Sequence, residues 1–323
     1  MTEAAVDFEC FGGRCTIRAA GPGAAAATGA ARATLLAWHA RFSRFLAASE
    51  LSRLNADTRT VVPVSPMLAR LAAAVGWAGG LTGGLVDGTL LSEIEAAGYV
   101  PDAPPSRPLA DALAHAPARV PAGPSPLGRW RELTAGADWV RRPPGLMLDS
   151  GGLAKGLFAD VLAERLRGRP GFAVVCGGDL RVGGAARAVE VESPFDGTVL
   201  LRFEVAEGGV ATSGIGRRSW EGRDGRPAHH LLDPATGRPA FTGVVQATAI
   251  APTALEAEVR AKAALLSGPE RAASWLPYGG ALVLDDGTPE VLEAAARLPV
   301  MLPGLGVDGL CAGAIAPCAN RCQ

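Results

Sequence analysis

The segment best suited to binding phosphate lies near the middle of the chain, where residues 149–156 read DSGGLAKG. Gly151 and Gly152 can adopt backbone angles closed to other residues and let a ligand approach the main chain. The free amides of a following helix start would bind phosphate oxygens, and Lys155 would add positive charge. The segment is neither G-x-G-x-x-G nor a Walker A motif, so a tight structural turn with a surface lysine explains it equally well.

Two further segments place small and polar residues at strand ends. Residues 177–179 read GGD after a buried apolar run, and residues 212–214 read TSG. A carboxylate at a strand end could contact a ligand, and the TSG segment offers hydroxyl groups and backbone amides. The glycine pair could also serve close packing alone.

A histidine pair next to an aspartate could transfer protons. Residues 229–237 read HHLLDPATG, and His229 and His230 are two of the four histidines in the chain. Imidazole groups beside the Asp233 carboxylate and a hydroxyl-rich loop favour general acid–base catalysis. A purely structural histidine pair before a turn is the alternative.

The elements that must position these groups alternate between strand and helix. In the second half we predict strands at 146–149, 172–176, 199–205, 244–251 and 281–284, and helices at 157–166, 253–267 and 270–276. In the first half we predict strands before residue 20 and helices within 31–45 and 66–75. Thr253 and Glu256 form a capping box for the helix at 253–267. Strands and helices without regular βαβ spacing predict an α+β fold.

A proline-rich segment separates the two halves. Ten prolines lie between residues 101 and 144, and each removes a backbone donor, so we predict an irregular crossing over 101–145 with a short helix near 109–115. We predict one domain over residues 1–310 and a tail over 311–323. The tail holds Cys311, Cys318 and Cys322, which fit incidental thiols better than a metal or redox site.

The composition argues against several classes of protein. The net charge of −1 provides no basic surface for nucleic acid and no polybasic segment for anionic lipid. The apolar run at 71–86 is interrupted by five glycines and is shorter than the ~20 residues of a membrane helix. The acidic N-terminus lacks the pattern of a signal peptide. We therefore expect a cytoplasmic protein that neither binds nucleic acid nor inserts into membranes.

Taken together, the motifs resemble the ApbE family of flavin transferases, which move FMN from FAD onto a protein hydroxyl. They follow the family order from about residue 42 to residue 268. The six motifs are SRFLAASELSRLN (43–55), GLVDGTLL (84–91), DSGGLAKG (149–156), CGGD (176–179), ATSG (211–214) and HHLLDPATG (229–237). Each motif is weak alone, but six in one order indicate the family.

The resemblance implies a tunnelling-fold-like α+β architecture with FAD in a cleft between two lobes. It also implies a set of FAD-binding residues, which are Asn55, Asp87, Thr89, Gly151, Gly152, Lys155, Gly177, Gly178, Asp179, Thr212, Ser213 and Gly214. His230 and Asp233 match the family's H-x-x-D-P-x-T-G motif near the reacting phosphate. Either residue is a candidate base for the attacking hydroxyl.

One helix departs from the family pattern. The family places an aspartate and, four residues later, a threonine at a Mg²⁺ site, with a backbone carbonyl between them that corresponds here to Ala261. This chain has Glu258 and Lys262 at those positions. Glutamate keeps an oxygen ligand, whereas an ammonium group repels a cation. Three interpretations stay open: a simple helix-face ion pair, a lysine that replaces the metal, or a protein that binds flavin without transferring it.

The implied function is transfer of FMN from FAD to a threonine or serine of an acceptor protein, with release of AMP. Lys262 then joins His230 and Asp233 in catalysis, and Mg²⁺ dependence stays open. The alternatives are FAD hydrolysis to FMN and AMP, and FAD binding without turnover. The implied acceptor is a flavoprotein of an electron-transfer system.

Overall fold

The computed structural model describes residues 2–100, 107–222 and 224–298. In these ranges the strands are β1 (Glu3–Cys10), β2 (Gly13–Ala20), β3 (Val61–Pro63), β4 (Thr134–Ala135), β5 (Trp139–Arg141), β6 (Phe172–Cys176), β7 (Asp179–Gly183), β8 (Arg187–Glu192), β9 (Val199–Val205), β10 (Gly208–Gly214), β11 (Ser219–Glu221), β12 (Pro227–His229), β13 (Leu232–Asp233), β14 (Arg238–Pro239), β15 (Val244–Ala251), β16 (Gly280–Leu284) and β17 (Pro289–Leu292). The helices are α1 (Ala24–Phe42), α2 (Glu50–Ala56), α3 (Pro66–Thr82), α4 (Leu91–Ala96), α5 (Leu109–Ala114), α6 (Ala154–Leu166), α7 (Ala254–Ser267) and α8 (Pro269–Ala272), with 3-10 turns at Arg129–Glu132 and Ala273–Trp275.

An antiparallel sheet with the order β1-β2-β6-β7-β10-β15-β16-β17 organises the fold. Helices α1, α6 and α7 pack on one face of this sheet. Their main core includes Leu35, Phe42 and Phe158, none of which is exposed. The β8–β9 ribbon covers part of the other face through a small cluster that includes Val182 and Val205. The chain therefore has the α+β fold that the sequence predicts.

Several predicted elements are confirmed. The strands at 172–176, 199–205 and 244–251 form with the predicted bounds. Helix α7 begins at Ala254, with the Thr253 hydroxyl accepting a hydrogen bond from the Glu256 N–H at 3.1 Å as the capping box requires. A short helix also forms within the proline-rich segment, at Leu109–Ala114.

Four predicted elements differ from the structure. The helix predicted within 31–45 runs over Ala24–Phe42, and the helix predicted at 270–276 divides into α8 (Pro269–Ala272) and the 3-10 turn Ala273–Trp275. Residues 146–149 do not form a strand, because side-chain and loop contacts replace a neighbouring strand, as described below. Helix α3 continues through the glycines beyond residue 75 to Thr82. The reason is packing: a Cβ on Gly79 would lie 2.4 Å from the Trp130 ring, so the glycine admits the indole ring at the helix surface.

Two regions of interest lie outside the described residues. These are residues 101–106 of the proline-rich segment and the whole tail with Cys311, Cys318 and Cys322, so the boundary at residue 310 stays a prediction. Across the described ranges, no helix combines the length and apolarity needed to cross a membrane.

Candidate functional site

The turn at residues 149–153 is held in place by two distant segments. Asn55 donates from Nδ2 to the Leu148 carbonyl at 2.9 Å and accepts at Oδ1 from the Leu148 N–H at 2.8 Å. The Asp149 N–H donates to the Gly88 carbonyl at 2.9 Å. Asn55 thus fixes the backbone that leads into the turn, and the structure shows no contact of its side chain with either cleft described below.

The turn then leads into helix α6. The Ser150 hydroxyl donates to the Phe42 carbonyl at the end of α1 (3.0 Å), and the Gly151 N–H donates to Asp149 Oδ1 (3.0 Å). The Ser150 carbonyl accepts from the Ala154 N–H (3.0 Å). Neither Gly151 nor Gly152 has a positive φ, so the expected special backbone angles are not the reason for these glycines.

One cleft, which we name the Asp87 cleft, opens on the Gly152 side of the turn. Its polar and turn residues are Asp87, Asp149, Gly152, His230, Pro234 and Lys262. Asp87 Oδ1 accepts from the N–H and hydroxyl of Thr89 (2.9 and 2.6 Å), whereas its buried Oδ2 has no hydrogen-bond partner within the part of the chain that the structure describes. Burial raises the pKa of Asp87 against the effect of the Thr89 hydrogen bonds, so a hydrogen-bonding ligand group would suit this oxygen.

The second cleft, which we name the Arg44 cleft, lies on the Gly151 side of the turn. Its walls include Phe11, Arg44, Phe45, Tyr99, Lys155 and Arg218. The Arg44 guanidinium lies 4.2 Å from the Phe45 ring centroid and 4.8 Å from that of Tyr99. Aromatic rings with adjacent cations suit a flat, anionic ligand.

A charged cluster connects α6, α7 and the β6–β7 turn between the two clefts. Lys155 Nζ lies 2.5 Å from Asp179 Oδ2 and 3.1 Å from Glu258 Oε1. Lys262 Nζ lies 3.1 Å from the same Oε1, and Glu258 Oε2 accepts from the Gly156 N–H at 2.9 Å. Asp179 and Glu258 are each 1% exposed. Lys155 lines the Arg44 cleft and Lys262 lines the Asp87 cleft, so one lysine contributes to the cleft on each side of the turn.

The cluster shifts the pKa values of its members. Burial works against the charged form of Lys155, but the carboxylates of Asp179 and Glu258 outweigh it and raise its pKa. Burial would likewise raise the pKa of Glu258, but the two lysines hold it below the ordinary value. For Asp179, burial and the Glu258 charge raise the pKa despite Lys155. Lys262 has a lowered pKa because burial and Lys155 outweigh Glu258.

The residues at the implied Mg²⁺ position do not fit a divalent cation. Mg²⁺ needs several oxygen ligands at about 2.1 Å, but Glu258 offers one oxygen to two ammonium groups and the other to a backbone N–H. Ala261 is fully buried in the middle of α7. No group of three or more His, Cys, Asp or Glu residues in the described ranges could hold a metal ion. Each unit-charge pair at 4 Å repels by about 4 kcal/mol at an effective dielectric constant of 20, so the ammonium groups disfavour a metal here.

The two histidines occupy different environments. His229 is buried, accepts from the Leu231 N–H at Nδ1 (3.3 Å) and packs edge-on against Phe241. Burial lowers the pKa of His229 to about 3. His230 is half-buried and lines the Asp87 cleft, and its buried Nδ1 has no hydrogen-bond partner among the described residues. Burial, followed by the charge of Arg218, lowers the pKa of His230 well below its ordinary value, so His230 is neutral and has a free acceptor nitrogen.

Asp233 holds the following turn and is not among the residues that line either cleft. Its Oδ1 accepts from the N–H groups of Gly123 (2.9 Å) and Ala235 (3.0 Å), and its Oδ2 accepts from the Thr236 hydroxyl (2.9 Å). Both oxygens are therefore engaged in backbone and turn contacts. Of the two candidate bases, the geometry favours His230.

The remaining residues that the sequence suggested for ligand binding lie either in the β6–β7 turn or in strand β10 of the large sheet. Gly177 (φ 57°) and Gly178 (φ 103°) form the tight β6–β7 turn that brings Asp179 beside Lys155. Strand alternation places Thr212 on the face of Val210, towards the β8–β9 ribbon; its Oγ1 lies 2.9 Å from that of Thr248. Residues 213 and 214 complete β10 and are not among those lining the clefts. The structure thus separates Thr212 from the charged cluster.

Sequence reasoning missed most of the Arg44 cleft. Arg44 contacts Asp149 and Glu95 (3.4 Å each) and donates to the Tyr99 carbonyl at 2.9 Å. Arg44 lies inside the quoted 43–55 motif, and the aromatic residue one position later was the available signal. Tyr99 and Arg218 belong to segments without a recognisable pattern.

The model of the ApbE family matches residues 11–282. The FAD:protein FMN transferase of Klebsiella pneumoniae (strain 342) is 31% identical over 238 residues, which cover 69% of this chain and 66% of that protein. The FAD:protein FMN transferase of Vibrio cholerae is 28% identical over 264 residues, or 77% of each chain.

Solved structures share the fold. The crystal structure of the ApbE protein from Thermotoga maritima superposes with a TM-score of 0.75 at 23% identity, covering 90% of this chain and 97% of that one. The apo structure of the flavinyl transferase ApbE from Pseudomonas stutzeri gives a TM-score of 0.72 at 23% identity, with 91% and 96% coverage. The two clefts and the charged cluster therefore belong to a fold seen in these proteins.

Proposed function

The chain belongs to the ApbE family, and we propose that it transfers the FMN half of FAD to a hydroxyl group of an acceptor protein and releases AMP. The observation that carries this proposal is the arrangement of two clefts on either side of the turn at 149–153, with Lys155 facing one and Lys262 the other. A dinucleotide consists of two ring systems joined by a diphosphate, and this arrangement matches those three parts.

In this proposal the FAD diphosphate lies over Gly151 and Gly152. One ring system enters the Arg44 cleft, where Phe45, Tyr99 and two arginines suit a flat aromatic group. The other ring system enters the Asp87 cleft, where the free Oδ2 of Asp87 can accept a hydrogen bond from a ring N–H. Positioning and charge neutralisation are the main contributions that phosphoryl transfer needs from a protein.

His230 is our candidate base. His230 lines the same cleft as Lys262, its imidazole is neutral, and its buried Nδ1 has no hydrogen-bond partner among the described residues. A bound diphosphate would oppose the effect of the Arg218 charge and make the imidazole more basic. The acceptor hydroxyl would transfer its proton to this nitrogen while its oxygen attacks the FMN-side phosphorus. The acceptor we expect is a flavoprotein of an electron-transfer system, and we place the reaction in the cytoplasm.

Product analysis tests the proposal. The purified protein is incubated with FAD and an acceptor domain of the family type, and AMP, free FMN and the intact mass of the acceptor are measured together. We expect one AMP for each acceptor molecule that gains the mass of FMN. AMP with free FMN and an unmodified acceptor would instead indicate hydrolysis, and intact bound FAD without AMP would indicate a binding protein.

A further inference from the structure

The chain uses lysine at only two positions. Of its 31 lysine and arginine residues, 29 are arginine, and the two lysines are Lys155 and Lys262. Both ammonium groups lie 3.1 Å from the same atom, Oε1 of Glu258. An ammonium group is a compact, rotatable point charge, whereas a guanidinium group is a flat fork that needs a matching plane of acceptors. Both lysines of the chain therefore lie at the same carboxylate.

The side chain of Lys262 is fixed along its length. The residue is 8% exposed and its Cε lies 3.7 Å from the position that a Cβ on Gly152 would take. Its ammonium group is anchored by Glu258 one helical turn earlier, and Lys262 lines the Asp87 cleft together with His230. A positive charge is thus held beside the turn over which we place the diphosphate.

We infer that Lys262 replaces the divalent cation of the reaction, so that this chain binds FAD and transfers FMN without Mg²⁺. The inference rests on the proposed function, because it takes the FAD diphosphate as the ligand. The residues at the metal position support it, because Oε1 of Glu258 already accepts from two ammonium groups and its Oε2 accepts from the Gly156 N–H. Glu258 therefore has no free oxygen for a metal shell.

The step balances without a metal. A bond forms between the acceptor hydroxyl oxygen and the FMN-side phosphorus, and the bond from that phosphorus to the bridging oxygen breaks. The hydroxyl proton passes to His230 Nδ1, and AMP leaves with the bridging oxygen and its electron pair. Lys262 neutralises charge on the phosphoryl oxygens throughout. It supplies one positive charge fewer than Mg²⁺, and Arg44 and Arg218 add positive charge in the adjoining cleft.

Calorimetry of FAD binding tests the inference without relying on turnover. For the unaltered protein we expect Kd values in EDTA and in excess Mg²⁺ to agree within about twofold. Lys262→Met should weaken FAD binding at least about tenfold in both buffers, since it removes a charge-assisted contact. The matched control is Arg260→Met on the same helix, which removes the cation of the i,i+4 pair with Glu256 outside both clefts and should leave Kd unchanged.

Thermal melting monitored by circular dichroism first establishes that each variant is folded. An unaltered protein that binds FAD only with Mg²⁺, or a folded Lys262→Met variant that binds FAD as tightly as the unaltered protein, would overturn the inference.

The two lysines also provide a spectroscopic readout. Protein labelled with nitrogen-15 lysine contains only two labelled ammonium groups, and the Lys262→Met variant assigns them. We expect FAD to shift the Lys262 signal and Mg²⁺ alone to leave it unchanged. A Lys262 signal that moves on addition of Mg²⁺ alone would show that a metal binds at Glu258 and would contradict the inference.

The failure of this inference can be distinguished from the failure of the proposed function. FMN transfer that requires Mg²⁺ would keep the transferase and exclude the lysine substitution. Lysine-dependent FAD binding in EDTA, without modification of any acceptor, would keep the built-in cation as the FAD-binding group and exclude the transferase.

Discussion

Asp160 and Glu258 join helices α6 and α7 in opposite directions. The two carboxylate oxygens of Asp160, on α6, accept from the first two N–H groups of α7 at 2.9 Å each. Glu258, on α7, accepts from the Gly156 N–H in the first turn of α6 at 2.9 Å. Each carboxylate thus lies at the positive end of the partner helix, and this crossing sets the positions of the two lysines.

A glycine substitution tests the importance of this crossing. A Cβ on Gly156 would lie 2.6 Å from the Ala254 carbonyl oxygen, so Gly156→Ala should push the helices apart and lower the free energy of unfolding by about 1–3 kcal/mol. The control is Gly29→Ala in α1, where nothing lies within 4 Å; this variant should gain up to about 1 kcal/mol. Urea unfolding measures both changes. Equal effects of the two substitutions would show that the helix contact is not tight.

Asn55 should act through the backbone of the turn. Asn55→Ala leaves the Leu148 N–H and carbonyl without their partners, which should lower the free energy of unfolding by about 1–3 kcal/mol. Because the turn then loses one of its supports, FAD affinity should fall as well. Exposed Thr58 provides the control, since Thr58→Ala should change stability by less than about 0.5 kcal/mol. Full stability in Asn55→Ala, with FAD affinity alone reduced, would indicate direct contact with the ligand.

Substitution of His230 should impair catalysis, whereas substitution of Asp233 should impair stability. His230→Gln should lower the rate of FMN transfer by about 10²–10⁴-fold, with FAD affinity changed less than about threefold. Asp233→Ala should lower the free energy of unfolding by about 1–3 kcal/mol, because Gly123 and Ala235 lose their acceptor. Its transfer rate per folded molecule should stay unchanged. Single-turnover rates and urea unfolding of both variants measure this, and the opposite pattern would make Asp233 the base.

Buried His229 should make stability depend on pH. Its pKa is about 3 in the fold against about 6.5 in the unfolded chain. The unfolded state therefore binds more protons, and the contribution of His229 to stability is lost as pH falls from about 6.5 towards 3, by roughly 1 kcal/mol per pH unit. His229→Asn can keep an acceptor for the Leu231 N–H and should reduce this slope. The check is urea unfolding across this pH range, with exposed His115→Asn as the control; parallel slopes in all three proteins would refute the prediction.

The sequence predicts the helices and buried strands well where the signals are local. The cap of α7 could be predicted because the Thr253 hydroxyl and the Glu256 N–H lie only three residues apart. The helical repeat likewise places Glu258 and Lys262, four residues apart, on one face of the helix. The strand predicted at 146–149 was wrong. The partners of this segment, Asn55 and Gly88, lie far away in the sequence, so no local signal indicates them.

The same contrast between local signals and long-range contacts applies to the residues of the candidate site. Composition cannot distinguish a side chain that binds a ligand from one that holds the backbone, which is the difference between His230 and Asp233 in the structure. The Arg44 cleft depends on residues that only the fold brings together, because Arg44 and Tyr99 are 55 residues apart. Such contacts leave no periodic pattern in the sequence.

The most direct test compares the initial rate of FMN transfer from FAD to the acceptor protein in EDTA and in excess Mg²⁺. Intact mass of the acceptor measures the transfer. The arrangement of Lys155, Lys262 and Glu258 predicts rates that agree within about twofold in the two buffers. Transfer that occurs only with Mg²⁺ would contradict a built-in cation, and no transfer in either buffer would contradict the proposed function.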